Sequence, residues 1–314
     1  MGARALVVVS YGSSHLLEKN LAFWDDAASA GWIVVVVDNP TTPAERRRVQ
    51  DLAEAHDWLL VTPSRNLGFG DGCGAAVRAA QEAARARPGG ALASVVLLNP
   101  DARLTRAAAD ELAARVEAAP DLMLAPRMLR SDGRPSFTSS RLDPRTGRGT
   151  APEGSGVPWL TGACLAMSAD AWDTLDGFAG DYFLYWEDVD LAWRWHRHGG
   201  SALVADDLTC VHDPGGTQVA GAARAKSPLY YYYNCRNRLV FAGRHLGRRA
   251  ALRWVVRAPA YAAEVVLRGG RRQLVRPWRN ALPAARGTLS GLGALLRGPR
   301  PHDVETRGED TPWT

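Results

Sequence analysis

The stretch WIVVVVDNP, residues 32–40, decides the fold. Its five consecutive aliphatic residues show no alternation, so both faces of the strand must be buried, as in a parallel sheet covered on two sides. The turn at Asn39–Pro40 closes it. On either side the pattern repeats. ALVVVSYG (5–12) predicts a first strand, and SHLLEKNLAFWDDAASAG (14–31) a helix with Leu17, Leu21 and Trp24 on one face and a stop at Gly31. TPAERRRVQDLAEAH (42–56) predicts a helix with Thr42 as N-cap and Pro43 at its first position. WLLVTP, GCGAAVRAAQEAARAR and SVVLLNPD then predict strand, helix and strand. Such alternation predicts an α/β fold, a Rossmann-like, mostly parallel sheet flanked by helices, with ligands at the carboxyl ends of its strands. At those ends stand Ser10–Tyr11, Asp38–Asn39 and Asn99–Asp101.

Beyond a helix ending near Pro120 the pattern loosens. Residues 131–158 are rich in Gly, Pro, Ser and Arg without a period, and predict a mobile functional loop or local disorder. WLTGACLAMS (159–168) predicts one strand, SADAWDTL a helix capped by Ser168, and FLYWEDVDLAWRWHRHGG (183–200) another helix. From Tyr230 the pattern is helical and basic, broken at Gly269–Gly270, Pro277 and Pro283, and the last dozen residues predict a frayed end.

Of 38 basic residues only Lys19 and Lys226 are lysines, an arginine bias that gives single arginines little weight. The net charge of +5 divides unevenly. Residues 225–314 carry 17 Lys/Arg against 5 Asp/Glu, and residues 1–224 carry 21 against 28. The expected division is a nucleotide- and ligand-binding domain over 1–224 and a basic helical extension over 225–314. Arginines interleaved with Trp254, Leu267, Leu274 and Trp278 suit an interfacial helix on an anionic membrane, and a solvated face packed partly on the core is the plain alternative. Nothing points to nucleic acid, and nothing speaks to oligomeric state. The four cysteines (Cys73, Cys164, Cys210, Cys235) form no CxxC pair, which fits a reducing compartment and argues against structural zinc. ALVVVS follows no charged leader, and no run reaches the ~20 apolar residues of a spanning helix. A cytoplasmic chain, peripheral on the inner face of the plasma membrane, is expected.

Several residues could carry chemistry. Asp38 is either a turn aspartate or a carboxylate facing a base or ribose. RNLGFGDGCG (65–74) opens a helix with four glycines, but Cys73 breaks the GxGxxG spacing and the run follows the third strand, which disfavours a dehydrogenase. LLNPDARL places Asp101, with Asn99 nearby, where a divalent cation on a diphosphate needs hard oxygen ligands; a plain Asn-Pro-Asp turn is the alternative. In FLYWEDVDLAWRW helical spacing puts Asp188 on the side of Leu184, Leu191 and Trp195. Glu187 and Asp190 fall on an adjoining side, with Arg194 as a surface partner for Asp190. Burial among aromatics would raise the proton affinity of Asp188, as a general base requires. His212, in LTCVHDPGG, ends another strand and is either structural or a contact to metal or phosphate.

Eight segments in order, VVVSYGSS (7–14), VVVDNPTT (35–42), RNLGFGDGCG (65–74), LLNPDARL (97–104), WLTGACLAMS (159–168), GFAGDYFLYWEDVDLAWRWHRHG (177–199), VHDPGGT (211–217) and YYYNCRNRLVFAGRH (231–245), resemble the family-2 glycosyltransferases of GT-A fold, above all bacterial rhamnosyl- and galactofuranosyl-transferase-like members. The resemblance implies an inverting transfer of a rhamnose- or galactofuranose-like sugar from a dTDP- or UDP-sugar, with Mg2+ or Mn2+. It implies that Ser10, Tyr11, Asp38, Asn66, Gly68 and Asn99 hold the donor. Trp159, Gly162 and Ala163 would line the sugar and acceptor site, Asp101 and His212 would hold the metal, and Asp188 would act as base with Glu187 beside it. The acceptor would be a hydroxyl of a lipid-linked glycan or other glycoconjugate, with a small natural product as the alternative. Gly12 and Gly74 stand where the family often has Asn, and Asn99 implies a metal site with one charge fewer. A pyrophosphorylase would need a basic phosphate loop that MGARALVVVSYGSS lacks. A non-catalytic membrane or nucleic-acid adaptor on the same fold would be free to lose Asp101 or Asp188, and both are present.

Overall fold

The computed structural model describes residues 2–24, 31–87, 89–213, 226–268 and 278–298. β1 (Ala3–Ser10), β2 (Trp32–Asp38), β3 (Leu59–Val61) and β4 (Leu92–Leu98) run parallel, with α1 (Ser14–Leu21), α2 (Pro43–Ala55) and α3 (Gly70–Arg85) crossing between them. Thr42 caps α2 by accepting from the Glu45 amide, as expected. The aliphatic run of β2 divides by pleat. Val34 and Val36 pack with Leu17, Val49 and Leu112 on one face, while Val35 and Val37 pack with Ala76, Val77 and Trp195 on the other. Each such side chain, fully buried, stabilises the fold by about 1.5–3 kcal/mol.

The chain continues through β5 (Ala102–Leu104), α4 (Arg106–Ala118) and β6 (Leu122–Leu129) to a small antiparallel sheet of β7 (Ser139–Asp143), β8 (Arg148–Thr150) and β9 (Val157–Leu160). β10 (Cys164–Ser168), α5 (Ala169–Thr174), α6 (Glu187–Arg197) and β11 (Ser201–His212) follow. The large sheet has the order β3-β2-β1-β4-β10-β6-β11-β5. β10 runs against both its neighbours, so its first residue, Cys164, lies opposite Leu98 at the end of β4. β11 runs parallel to β6, which brings its end to the same edge.

Two expectations are corrected here. Residues 139–160 form ordered strands in place of a structureless loop; three to five residues per strand are too few to show a period, and Gly147 and Gly156 take the positive φ angles that the turns need. WLTGACLAMS is two strands, β9 and β10, separated by a turn at 161–163.

α7 (Pro228–His245), α8 (Arg248–Val256), α9 (Ala258–Leu267) and α10 (Trp278–Arg297) complete the described chain. Tyr231, Leu239, Phe241, Trp254 and Tyr261 from these helices share one core with Leu142, Tyr182, Trp186 and Val189. Trp254 is wholly buried there and is not a surface anchor. Leu274, Gly269–Gly270, Pro277, the Pro214–Gly216 turn and the last dozen residues lie outside the described residues, as does the side chain of Trp278. Among the described residues no helix is long and apolar enough to cross a membrane, and all four cysteines are free and buried.

α10 reaches α7 through small residues. A Cβ on Gly287 would fall 2.1 Å from the Tyr232 carbonyl oxygen, and one on Gly291 would fall 2.6 Å from that of Arg236. Gly287→Ala should therefore push α10 off α7 and lower stability by about 1–3 kcal/mol, despite alanine's better helix propensity. A thermal melt equal to or above that of the parent protein would refute this packing.

Candidate functional site

The loops at the carboxyl edge of the sheet meet one another through backbone bonds. The Asn39 amide donates to the Ser10 carbonyl (2.9 Å), tying the ends of β1 and β2. Asn39 Oδ1 accepts from the Leu67 amide (2.8 Å) and its Nδ2 donates to the Gly68 carbonyl (3.3 Å), which holds the glycine-rich loop against β2. Gly68, at φ +74°, fits because a Cβ there would fall 2.2 Å from the Phe183 carbonyl oxygen, the same oxygen that accepts from the Phe69 amide (3.0 Å). The Asn99 amide donates to the Ala163 carbonyl (2.9 Å), linking the end of β4 to the turn before β10. That turn in turn reaches α6, where the Gly162 amide donates to Asp188 Oδ2 (3.2 Å).

The residues expected to hold the donor stand differently along this edge. Ser10 is buried, with its Oγ 2.8 Å from Ser13 Oγ. Tyr11 is 55% exposed. Asp38 is buried and salt-bridged through Oδ2 to Arg46 Nε, whose guanidinium also donates to the Asp38 carbonyl (3.0 Å). Its Oδ1 is buried with no hydrogen-bond partner. Burial raises the Asp38 pKa, and the Arg46 hydrogen bond and charge oppose this without cancelling it. Asn66 Oδ1 accepts from the Gly68 amide (2.8 Å) and shapes its own loop. Asn99 closes a turn by accepting from the Ala102 amide (3.0 Å), and Asn20 Nδ2 donates to the Pro100 carbonyl (2.9 Å) beneath it.

Asp101 and His212 come together because β5 pairs antiparallel with the end of β11, placing His212 opposite Ala102. His212 Nε2 is 3.2 Å from Asp101 Oδ1, and both side chains are largely buried. The two are close but not aligned as a hydrogen bond, so Asp101 Oδ1 is left without a hydrogen-bond partner. A hard carboxylate oxygen and an imidazole nitrogen at this spacing fit a divalent cation as two protein ligands. Among the described residues no group of three or more His, Cys, Asp or Glu gathers to hold a metal, so a cation here would take its other ligands from diphosphate oxygens and water.

The acids at the start of α6 depart from the sequence reading. The helix begins only at Glu187, because Tyr185 and Trp186 take φ angles of +67° and +76°. Asn237 Nδ2, from α7, donates to the Leu184 (2.9 Å) and Tyr185 (2.8 Å) carbonyls, engaging acceptors that a longer helix would have used. Asp190 is not a surface residue but is completely buried. Arg194 Nε donates to its Oδ2 (2.7 Å), and His245 Nε2 lies 2.5 Å from Oδ1. Burial alone would raise its pKa, but the His245 hydrogen bond, the Arg194 charge and the remaining contacts hold it below the ordinary value.

Glu187 is also buried, with Oε2 unpartnered; burial and then the charge of Asp188 push its pKa well up. Asp188, expected to point into aromatics, is instead the most open of the three. Its Oδ1 accepts from the Val189 amide (2.8 Å) and its Oδ2 from Gly162. Burial raises its pKa to about 6, with the two amides moderating the rise. Such a carboxylate is ionised at neutral pH and still basic enough to take a proton.

Trp159, on β9, packs at a 40° tilt against Phe137 with ring centroids 5.0 Å apart, and Phe137 is 49% exposed. A Cβ on Gly162 would meet Phe69 at 3.2 Å and Asp188 Cβ at 3.7 Å, so this position admits little beyond glycine. Sequence reasoning missed Asn39 as the clamp on the glycine-rich loop, although an Asn before Pro at a strand end was the available signal. It also missed Asn237 and His245, 52 and 55 residues from their partners, for which no local signal exists.

No family model matches this sequence. Two relatives, the N-acetylglucosaminyl-diphospho-decaprenol L-rhamnosyltransferases of Mycobacterium tuberculosis strains CDC 1551 / Oshkosh and ATCC 25618 / H37Rv, are each 25% identical over 205 residues. The match covers 64% of this chain and 60% of theirs, so the chain spans less than two thirds of the length of these relatives. Among solved structures, the mannosyltransferase PcManGT of Pyrobaculum calidifontis, in complex with GDP-Man and Mn2+, superposes with a TM-score of 0.52 at 18% identity, over 93% of this chain and 87% of that one. S. aureus TarS 1-349, in complex with UDP, gives 0.53 at 15% identity, over 93% and 83%. The chain thus has the GT-A fold of these glycosyltransferases and is similar in sequence to rhamnosyltransferases.

Proposed function

We propose that this protein is an inverting glycosyltransferase that moves a rhamnose- or galactofuranose-like sugar from a dTDP- or UDP-sugar to a hydroxyl of a lipid-linked glycan, at the cytoplasmic side of the plasma membrane. One observation carries the reading. The turn at 161–163 bonds Asp188 through Gly162 and the Asn99–Asp101 turn through Ala163, so a raised carboxylate and a metal-ligand pair flank one short segment. Transfer needs that pairing, a base for the acceptor and charge neutralisation for the leaving group. The lipid-linked acceptor is favoured over a small natural product because the relatives' name specifies a diphospho-decaprenol acceptor.

In this mechanism Tyr11 stacks on the base of the donor and Asp38 Oδ1 accepts from its base or ribose. Asn66 and Gly68 shape the loop that faces the phosphates. Asp101 and His212 would hold a Mg2+ or Mn2+ ion, which when bound neutralises charge on the departing nucleoside diphosphate. Trp159 and Phe137 offer apolar ring faces to the acceptor sugar. Asp188, oriented by the Gly162 and Val189 amides, takes the proton of the acceptor hydroxyl. That oxygen bonds to the anomeric carbon as the bond to the diphosphate oxygen breaks, inverting the centre. Burial and then the charge of Asp188 push the Glu187 pKa well up, which disfavours a second charge beside the base.

Asp188→Asn should lower transfer roughly a hundred- to ten-thousand-fold while donor affinity stays close to that of the parent protein. Asp190→Asn should instead weaken the fold by about 3–5 kcal/mol, since it leaves His245 and Arg194 facing a lost buried charge. Calorimetric donor titration and thermal melts separate the two, and full transfer by Asp188→Asn would sink the assignment of the base.

The rate should be flat at neutral pH and fall as pH drops through about 6, where Asp188 becomes protonated and can no longer accept the acceptor's proton. A profile that stays flat down to about 4, the ordinary carboxylate range, would remove the raised carboxylate from the mechanism. Asp101→Asn and His212→Ala should each raise the Mn2+ concentration needed for tight donor binding on the order of tenfold or more. Calorimetry with and without Mn2+ reads this directly, and an unchanged Mn2+ dependence in both variants would move the metal elsewhere.

A further inference from the structure

Among the described residues ten large apolar side chains are exposed, and six of them, Leu252, Val256, Leu267, Leu282, Leu289 and Leu296, lie on α8, α9 and α10. Chance scatter over the surface would not collect them there. α10 is apolar on its outward side as well as its inner one. Ala284, Gly287 and Gly291 set it close against α7, Leu292 and Leu295 pack on the shared core, and the other three of its five leucines stand outward at seven-residue spacing. Leu282, Leu289 and Leu296 are 50%, 68% and 83% exposed. The exposed residues between and beside them include Arg279, Arg286 and Arg297. α8 repeats the arrangement, with Leu252 and Val256 one turn apart among exposed Arg249, Arg253 and Arg257.

The charge around these leucines selects the occupant. From residue 226 to 298 the only acid is Glu264, and it is engaged by Arg148 and Arg268. Two copies meeting through these helices would set arginine against arginine, with no acid on α8 or α10 to relieve it. An anionic bilayer meets both demands: lipid phosphates take the guanidinium groups, and the leucines reach the boundary of the acyl chains. We infer that the outward faces of α8, α9 and α10 dock this protein on an anionic membrane, with Leu282, Leu289 and Leu296 as its apolar contacts. This extends the lipid-linked acceptor reading, but vesicle binding is measured without donor or acceptor, so either can fail alone.

The test uses the full chain. The parent protein should co-sediment with phosphatidylcholine vesicles that contain phosphatidylglycerol, and binding should fall with salt and with the anionic lipid omitted. L282N/L289N/L296N removes only exposed side chains, so its melt and its donor hydrolysis should match those of the parent protein, while vesicle affinity drops at least about tenfold. Arg279→Gln with Arg286→Gln should weaken binding and flatten its salt dependence. Equal vesicle binding by the leucine variant overturns the proposal, as does a parent protein that ignores anionic vesicles. A dimer that the leucine variant abolishes, without vesicle binding by the parent protein, overturns it in favour of a second copy.

Discussion

A carboxylate shut off from water must be paired inside the protein, and Asp190 is paired from two elements at once. Arg194, one turn along α6, takes one oxygen, and its other guanidinium nitrogens donate to the Leu175 and Gly177 carbonyls. His245, at the end of α7, takes the other oxygen, with Arg244 3.8 Å away and itself bound to Asp181. The depth at which α6 sits is set by this knot. Two residues before Asp190 is Asp188, whose carboxylate is aimed at Gly162, so the placement of the proposed base depends on a charge that never meets the substrate.

α7 also governs where α6 can begin. Asn237 engages the carbonyls of Leu184 and Tyr185, and Tyr185 and Trp186 adopt left-handed backbone angles that cost on the order of 1–2 kcal/mol each for residues with a Cβ. The rings of Trp186 against Phe241 and Trp254, and of Tyr185 against Tyr230, offset that cost by burial and edge contacts. The shared apolar core ties the C-terminal helices to the start of α6, where the candidate site lies.

Much of this was legible in the sequence where the signal is local. Uninterrupted aliphatic runs gave the parallel strands, Thr42 and Ser168 gave the helix starts, and Asp101, Asp188 and His212 were found at strand and helix ends. What could not be read is what long-range pairing decides. β7 to β9 are too short to show alternation, FLYW carries apolar residues at helical spacing yet is held out of the helix by Asn237, and Asp190 with Arg194 at i+4 is indistinguishable in sequence from an exposed pair. The fate of an acid depends on whether another element covers it, and the covering element here is more than fifty residues downstream.

A chain that writes all but two of its 38 basic residues as arginine makes each one look interchangeable. Arg238 is not. It is buried, lies over the rings of Trp254 and Tyr261 at 4.7 and 4.6 Å, and donates to the carbonyls of Thr146, Gly147 and Trp254. Burial lowers its pKa to about 10, so it stays charged, solvated by peptide dipoles in place of water. Only a flat, delocalised cation can stack on two rings and serve three acceptors in one plane; an ammonium would leave carbonyls bare and rings unfaced. A preference for arginine over lysine that elsewhere makes little chemical difference coincides at this position with a chemical requirement.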